Sequence, residues 1–240
     1  MKIAIIGYGK MGKEIGTLLS QIPSVSFFPI DNEEDWNNQI DAFLNCDVAI
    51  EFSTPATVVQ NLKRCIEKRI PVVTGSTGWA EYRTEILDLA KVNNVSLIYG
   101  SNFSIGANLF FELNGLLAQK IKEQTQYAVS IEEIHHIQKK DKPSGTAITI
   151  AETILKEISN LTQWFLDDNS EHTDSIPIKA QRTGDVFGTH KVLWDSDVDS
   201  IELIHTAKNR KGFAQGAVKS ALWLPSHPGI FKFENIYKQL

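Results

Sequence analysis

Short apolar runs of β-forming residues alternate with helical-period segments through the first hundred positions. KIAIIG (2–7), VSFFPID (25–31), DVAIEFS (47–53), PVVTG (71–75) and VSLIYGS (95–101) read as strands. Between the first two, the segment from Gly9 to Ser20 sets Ile15, Leu18 and Leu19 at helical spacing, and 55–69 and 79–93 read as helices as well. Apolar strands separated by helices imply a parallel sheet covered on both faces and joined by right-handed crossovers. Ligands of such a sheet bind beyond the carboxyl ends of its strands.

From Ile105 the pattern changes. A helix over GANLFFELNGLLAQKIKE is followed by the extended run YAVSIEEIHH. Three further extended runs, SIPIKAQRTG, THKVLWDS and DSIELIHTA, imply an open, mixed and mostly antiparallel sheet. Between them Ser144 is a good N-cap, and ITIAETILKEI aligns Ile148, Ala151, Ile154, Leu155 and Ile158 on one helical face. The last run, KGFAQGAVKSALWL, is helical and is expected to pack back on the first part of the chain. The expected domains are therefore 1–104, completed by 213–240, and 105–212. The chain shows no internal repeat and no low-complexity linker.

Composition narrows the function classes. With 240 residues, 42% of them hydrophobic, the chain can bury a proper core in one large or two ordinary domains. No apolar run approaches the roughly 20 residues that span a bilayer, and MKIAIIGYGK lacks the pattern of a signal peptide. Two cysteines, Cys46 and Cys65, without CxxC spacing favour a reducing, cytoplasmic setting with no structural disulfide. A net charge of -5 argues against a nucleic-acid partner and leaves small molecules as the expected ligands.

Gly7-Tyr8-Gly9-Lys10-Met11-Gly12 fills a G-x-G-x-x-G pattern at the first strand-to-helix turn. Gly7 allows the turn, Gly9 lets a pyrophosphate approach the backbone, Gly12 lets helix and strand pack, and the helix N-terminus attracts phosphate. Asp31, 19 residues past Gly12 at the end of the second strand, is placed to accept from a ribose 2′-OH. Together these imply a Rossmann-type doubly wound α/β domain that binds a dinucleotide. Asp31 would repel a 2′-phosphate, and the following Asn32, Glu33, Glu34 and Asp35 supply no cation. NADH is accordingly expected over NADPH, unless a basic residue from elsewhere, such as Lys10, offsets the acid. Gly75-Ser76-Thr77-Gly78 and Gly100-Ser101-Asn102-Phe103 follow the fourth and fifth strands, where a nicotinamide would lie, and equally suit plain turns.

The densest chemistry is EIHHIQKKDKPSGTA, residues 133–147. As successive strand residues His135 and His136 point to opposite sides, so one is expected to face a site. The amides of Gly145 and Thr146 at a helix N-terminus suit a carboxylate, with Lys139 and Lys140 adding positive charge. The segment reads as a site for an anionic substrate with proton-transfer groups attached. Two adjacent histidines without a third ligand at matching spacing make a poor zinc set, and no metal is expected. His172, His190, His205 and His227 are scattered and read as surface or sheet residues.

With these motifs in view, the chain resembles the dihydrodipicolinate reductase family of the bacterial diaminopimelate and lysine pathway. GYGKMG, FSTP (52–55), GSTGW, NFSIG, the 133–147 signature, RTGDVFGTH and FAQGAVKSALWL carry the resemblance over nearly the whole length. It implies hydride transfer from a reduced nicotinamide, NADH or NADPH, to a cyclic imine dicarboxylate. By this resemblance His135 is the general acid/base, Lys139 the proton donor, and His136, Gly145 and Thr146 substrate contacts. The dinucleotide is implied to lie along residues 7–12, Asp31, Gly75, Ser76, Thr77, Gly100, Ser101, Asn102 and Phe103, with Arg210 in a segment that also approaches it. The family further implies a homotetramer joined through the second domain's sheet, and hinge motion near 103–106 and 208–213 is expected of two domains. The chain departs from the family pattern in a short 31–47 region, a glycine turn one residue short, Lys10 where arginine is common, and trimmed loops expected around 160–175. Another two-domain dehydrogenase would keep GYGKMG without needing PSGT, and a non-catalytic dinucleotide sensor would have little use for His135 or Lys139.

Overall fold

The computed structural model describes residues 1–167 and 174–240. It forms two compact units, Met1–Ile105 with Arg210–Leu240, and Gly106–Asn209. Of the expectations above, His172 and part of the 160–175 loop lie outside the described residues. Among the described residues no helix is long and apolar enough to cross a membrane.

The first unit begins with β1 (Lys2–Ile6), α1 (Lys10–Leu19), β2 (Ser26–Ile30), α2 (Glu33–Asn38), α3 (Ile40–Leu44), β3 (Val48–Glu51), α4 (Val58–Glu67), β4 (Val72–Thr74), α5 (Arg83–Asn93) and β5 (Leu97–Tyr99). Residues along β1 alternate between two cores: Ala4 and Ile6 face one with Trp36, Phe43, Leu62 and Ile86, while Ile3 and Ile5 face the other with Ile15 and Leu19. A strand apolar on both faces has to be covered on both, which is why its sequence reads as one unbroken apolar run. β1 lies between β2 and β3, all parallel, so the winding reverses there and opens a crevice at the strand ends. The pair α2 and α3 had no counterpart in the sequence reading. Asn32 caps α2 by accepting from the Asp35 amide at 2.9 Å, and Trp36 meets Phe43 edge-on at 4.9 Å.

The second unit holds most of α6 (Ile105–Ile121), then β6 (Ala128–His135), α7 (Gly145–Leu155), β7 (Gln163–Leu166), β8 (Ser175–Arg182), β9 (Thr189–Asp195) and β10 (Ser200–Thr206). The sheet runs β10-β9-β6-β8-β7 and is mixed, with β10, β9 and β6 antiparallel and β6, β8 and β7 parallel. One face packs Ile131, Ile178, Val192 and Trp194 against Phe110 and Phe111 of α6 and Ile150 and Ile154 of α7. The other face is polar, with Lys191 paired to Glu202 and Gln181 donating to Glu132.

The chain returns to the first unit with α8 (Lys211–Trp223), β11 (Ile230–Lys232) and α9 (Phe233–Ile236). β11 adds a sixth parallel strand beside β5, and Ala217 and Ala221 of α8 complete the core that holds Ile3 and Ile5. Gly216 lets α8 close on the Phe103 carbonyl, 1.8 Å from where a Cβ would stand.

Candidate active site

In the first unit the glycine turn is built by a backbone that only glycine suits. Gly7 takes φ +86°, its N–H donates to the Ile30 carbonyl at 2.8 Å, and a Cβ would lie 2.4 Å from the Phe52 carbonyl oxygen. Gly9 is the residue before α1, with nothing within 4 Å of a would-be Cβ, so a ligand can reach its backbone. The Asp31 carboxylate accepts from the Tyr8 amide at 2.7 Å and so braces the turn. A cavity of about 560 Å³ opens beside it, lined by Gly7, Gly9, Lys10, Met11 and Asp31 together with Trp36, Phe52, Ser53, Thr57 and Asn61. α1 has no acidic residue in its first turn and carries Lys10 there, so the positive end of the helix is uncompensated. These features fit a dinucleotide's pyrophosphate and ribose.

Two groups here were not foreseen. Glu51, fully buried at the end of β3, accepts from Thr74 Oγ1 at 2.6 Å, from the Ser53 amide at 3.1 Å and from the Ser53 hydroxyl. Burial pushes its carboxyl above the ordinary value, against the pull of those hydrogen bonds. It thereby ties the ends of β3 and β4 together under the cavity. Arg64 of α4 donates to Glu33 at 2.8 Å and lies over the Trp36 ring at 4.9 Å. Its charge is thus shared with an acid that follows Asp31.

The other expected nucleotide residues sit on neighbouring loops of the same unit but do not line this cavity. Gly75 abuts the Phe52 ring, Ser76 is buried with its carbonyl accepting from Trp79 Nε1, and Thr77 follows it. Gly100 donates to the Thr74 carbonyl, Ser101 is exposed, and Asn102 accepts from the Ser104 amide. The Phe103 ring is in the core against Phe233 at 4.4 Å, and its carbonyl is closed over by Gly216 of α8. Arg210 is the residue before α8, its carbonyl accepting from Phe213 and Ala214.

In the second unit, the strand alternation of β6 places Val129, Ile131, Glu133 and His135 on the buried face and leaves His136 half-buried past its end. A glutamate and a histidine on a core face require partners. Glu133 Oε1 accepts from Arg182 Nη2 at 3.0 Å and from the Ser144 amide at 3.0 Å, while Oε2 lies 3.3 Å from His135 Nδ1 and 3.7 Å from His190 Nε2. Burial alone would raise the Glu133 carboxyl, but the groups contributed by His135, Ser144 and Arg182 outweigh it and hold it at about 2. His190 goes the other way: burial, with the neighbouring His135 charge, pushes it down to about 3, so it is neutral. Its inclusion corrects the reading of His190 as a scattered sheet histidine. His205 and His227 stay outside the cluster, the one beside Phe110 at 5.7 Å and the other stacked on Trp223 at 3.9 Å.

Ser144 caps α7 by accepting from the Ala147 amide at 3.2 Å, which sets Gly145 and Thr146 in the helix's first turn. The Lys139 ammonium pairs with Asp141 at 2.8 Å, and Arg182 holds the same loop through the carbonyls of Lys139, at 3.2 Å, and Asp141. Two imidazoles, an ammonium and a helix N-terminus thus converge on one end of this unit. Donor atoms of Glu133, His135 and His190 also lie within 4.8 Å of one another, as the hydrogen-bonding geometry of this cluster requires. The Arg182 guanidinium on the same carboxylate supplies a positive charge there.

Comparison with known proteins matches residues 1–103 to the family described as dihydrodipicolinate reductase, N-terminus, and residues 106–237 to dihydrodipicolinate reductase, C-terminus. The chain is 44% identical to a 4-hydroxy-tetrahydrodipicolinate reductase of Christiangramia forsetii, covering 100% of this chain and 99% of that one. It is 33% identical to the protein of that name from Methanoculleus marisnigri, with 98% of each chain covered. Among solved structures it is similar to a dipicolinate-bound dihydrodipicolinate reductase from Paenisporosarcina sp. TG-14, with a TM-score of 0.76 and 25% identity over 98% of this chain and 99% of that one.

Proposed function

The chain belongs to the dihydrodipicolinate reductase family, and from that membership we infer that it catalyses the NAD(P)H-dependent reduction of 4-hydroxy-tetrahydrodipicolinate to tetrahydrodipicolinate, a step of diaminopimelate and lysine biosynthesis. The observation that carries this reading is the 133–147 segment, whose histidine, lysine and helix N-terminus converge at one end of the second unit.

The glycine turn, the α1 N-terminus and Asp31 would hold the dinucleotide, whose nicotinamide would supply the hydride. In the second unit the first-turn amides of Gly145 and Thr146, with His136, hold a substrate carboxylate. Lys139 draws the doubly negative ring in, the substrate competing with Asp141 for its ammonium. Hydride reaching one ring carbon leaves an electron pair on the adjoining part of the conjugated system. His135 or Lys139 supplies the proton that quenches it.

NADH is the preferred donor in this reading. A 2′-phosphate would meet Asp31 and Glu33, and the nearby Arg64 is already engaged by Glu33. Oxidation of NADH and NADPH at 340 nm with freshly made dihydrodipicolinate tests both points. kcat/KM at least about tenfold higher for NADH, some 1.4 kcal/mol, is expected. An NADPH preference overturns the cofactor reading alone. Nucleotide binding, seen by fluorescence, without turnover of either cofactor would favour a dinucleotide sensor.

The family likeness also supports a homotetramer formed through the second unit's sheet. Its polar face carries the exposed Ile204 on the edge strand β10, an edge that association would cover. Light scattering should then give four times the 26.9 kDa chain mass. A monomer at micromolar concentration would rule the tetramer out.

A further inference from the structure

The Glu133 carboxylate is fully buried, and burying an ion costs several kcal/mol unless its oxygens are satisfied. The two oxygens are treated differently. Oε1 is anchored by Arg182 Nη2 and the Ser144 amide, each at 3.0 Å. Oε2 accepts no well-aligned hydrogen bond and faces two imidazoles, with His135 Nδ1 the nearer at 3.3 Å. Anchoring Oε1 alone would suffice to hold β6, β8 and the start of α7 together. The arrangement leaves the second oxygen to the histidine ring.

We propose that Glu133 is the positioning residue of the proton-transfer site: through Oε2 it orients the His135 ring by Nδ1 and fixes its tautomer, leaving Nε2 as the nitrogen that delivers the proton. This rests on the reading of His135 as the acid. Gly188, with φ +152°, lies on the far side of the ring, where a Cβ would stand 3.0 Å from His135 Nε2. Glycine there keeps that nitrogen from being covered by a side chain. His190 does not compete for Oε2. The Ser144 hydroxyl, which accepts from the Ala147 amide, is left to donate its own proton to His190 Nε2 at 3.2 Å, and burial keeps that ring neutral. Among the described residues, the charged and titratable groups of this cluster and its surroundings include Glu133 and His136 beside His135 in sequence, Arg182 from β8, His190 from β9 with His205 paired to it on β10, and the Lys139–Asp141 pair of the following loop. Of these, Glu133 is the anion in direct contact, with Arg182 offsetting part of its charge from the opposite oxygen.

The test uses the full chain with labelled histidine rings, wild type against E133Q and E133D. In the wild type the neutral His135 ring should carry its proton on Nδ1 by its ¹⁵N shifts. In E133Q the amide oxygen should stay with the two donors, Arg182 and the Ser144 N–H, which puts the NH2 in the place of Oε2, and the neutral His135 ring should move its proton to Nε2. kcat should fall at least about tenfold, with the KM for NADH unchanged. E133D, which restores an acceptor oxygen, should return the ring to the Nδ1–H tautomer. An Nε2–H tautomer in the wild type, or an unmoved tautomer in E133Q, overturns the proposal. So does a loss of turnover that follows only the melting temperature. The ring measurements need no substrate, so an inert wild type would sink the assignment of activity while leaving this inference decided separately. The wild-type tautomer decides it even if E133Q does not fold.

Discussion

His135→Ala and Lys139→Ala are each expected to lower kcat by at least about a hundredfold, the usual worth of a positioned acid or base, while the KM for the nicotinamide stays within about twofold. The split follows from where the residues lie. Both belong to the second unit, at the end of β6 and in the loop after it, whereas the glycine turn and Asp31, to which we assign the nucleotide, belong to the first. Removing a proton donor raises the barrier without touching nucleotide contacts, so the loss falls on kcat. The two variants should differ in the second substrate. In the proposed role Lys139 also offers its ammonium to a dicarboxylate, so Lys139→Ala should raise that KM as well, and Lys139→Arg should restore it more than it restores kcat, because a guanidinium holds the anion but does not give up its proton. His135→Ala should leave that KM nearer the wild-type value. Steady-state kinetics at 340 nm with each substrate varied in turn checks this. Turnover within about threefold of wild type in both alanine variants would remove the assignment of the acid to this segment.

How far such a site can be read from sequence depends on whether its parts are contiguous. The 133–147 segment was legible because a strand end, a loop and a helix cap deliver its groups within fifteen positions. Arg182 and His190 were not, because they reach Glu133 from β8 and β9 across strand pairings that no local spacing encodes. A signal existed all the same. In THKVLWD, strict alternation puts His190 on the face of Val192 and Trp194, and in AVSIEEIH it puts Glu133 and His135 on the face of Val129 and Ile131. Polar residues at core positions of two paired strands point to one another. The fold divides in the same way. Strands buried on both sides stand out as apolar runs, and the α/β alternation follows from them. α2 and α3, of 6 and 5 residues, are too short for a period to show, and their only local mark is Asn32 ahead of three acids. β11 is three residues long and gains its strand character only by lying beside β5.

The glycine turn allows the demands of folding and of binding to be separated. Gly7→Ala should destabilise the chain by at least about 2 kcal/mol, since it places a side chain at positive φ and against backbone rather than a movable side chain. The nearest atoms to its Cβ are the Phe52 carbonyl oxygen at 2.4 Å and Ser53 Cα at 2.7 Å, both in the turn that leaves β3. A melting temperature lower by roughly 5 °C is expected, with dinucleotide affinity lost in proportion to the distorted turn. Gly9→Ala should behave in the opposite way. Its φ of -73° is on the side open to alanine, unlike that of Gly7, and its Cβ meets nothing within 4 Å. Its melting temperature should stay within about 2 °C of wild type, because no native contact is lost or crowded. The added methyl instead occupies the approach to the α1 N-terminus, where we place the pyrophosphate, and the NADH dissociation constant should rise at least about tenfold. Thermal melts and nicotinamide fluorescence titrations on the two variants separate these outcomes. If Gly9→Ala binds NADH as tightly as wild type, the pyrophosphate does not pass over this turn, and the Asp31 argument for NADH, which assumes a ribose placed by that pyrophosphate, fails with it.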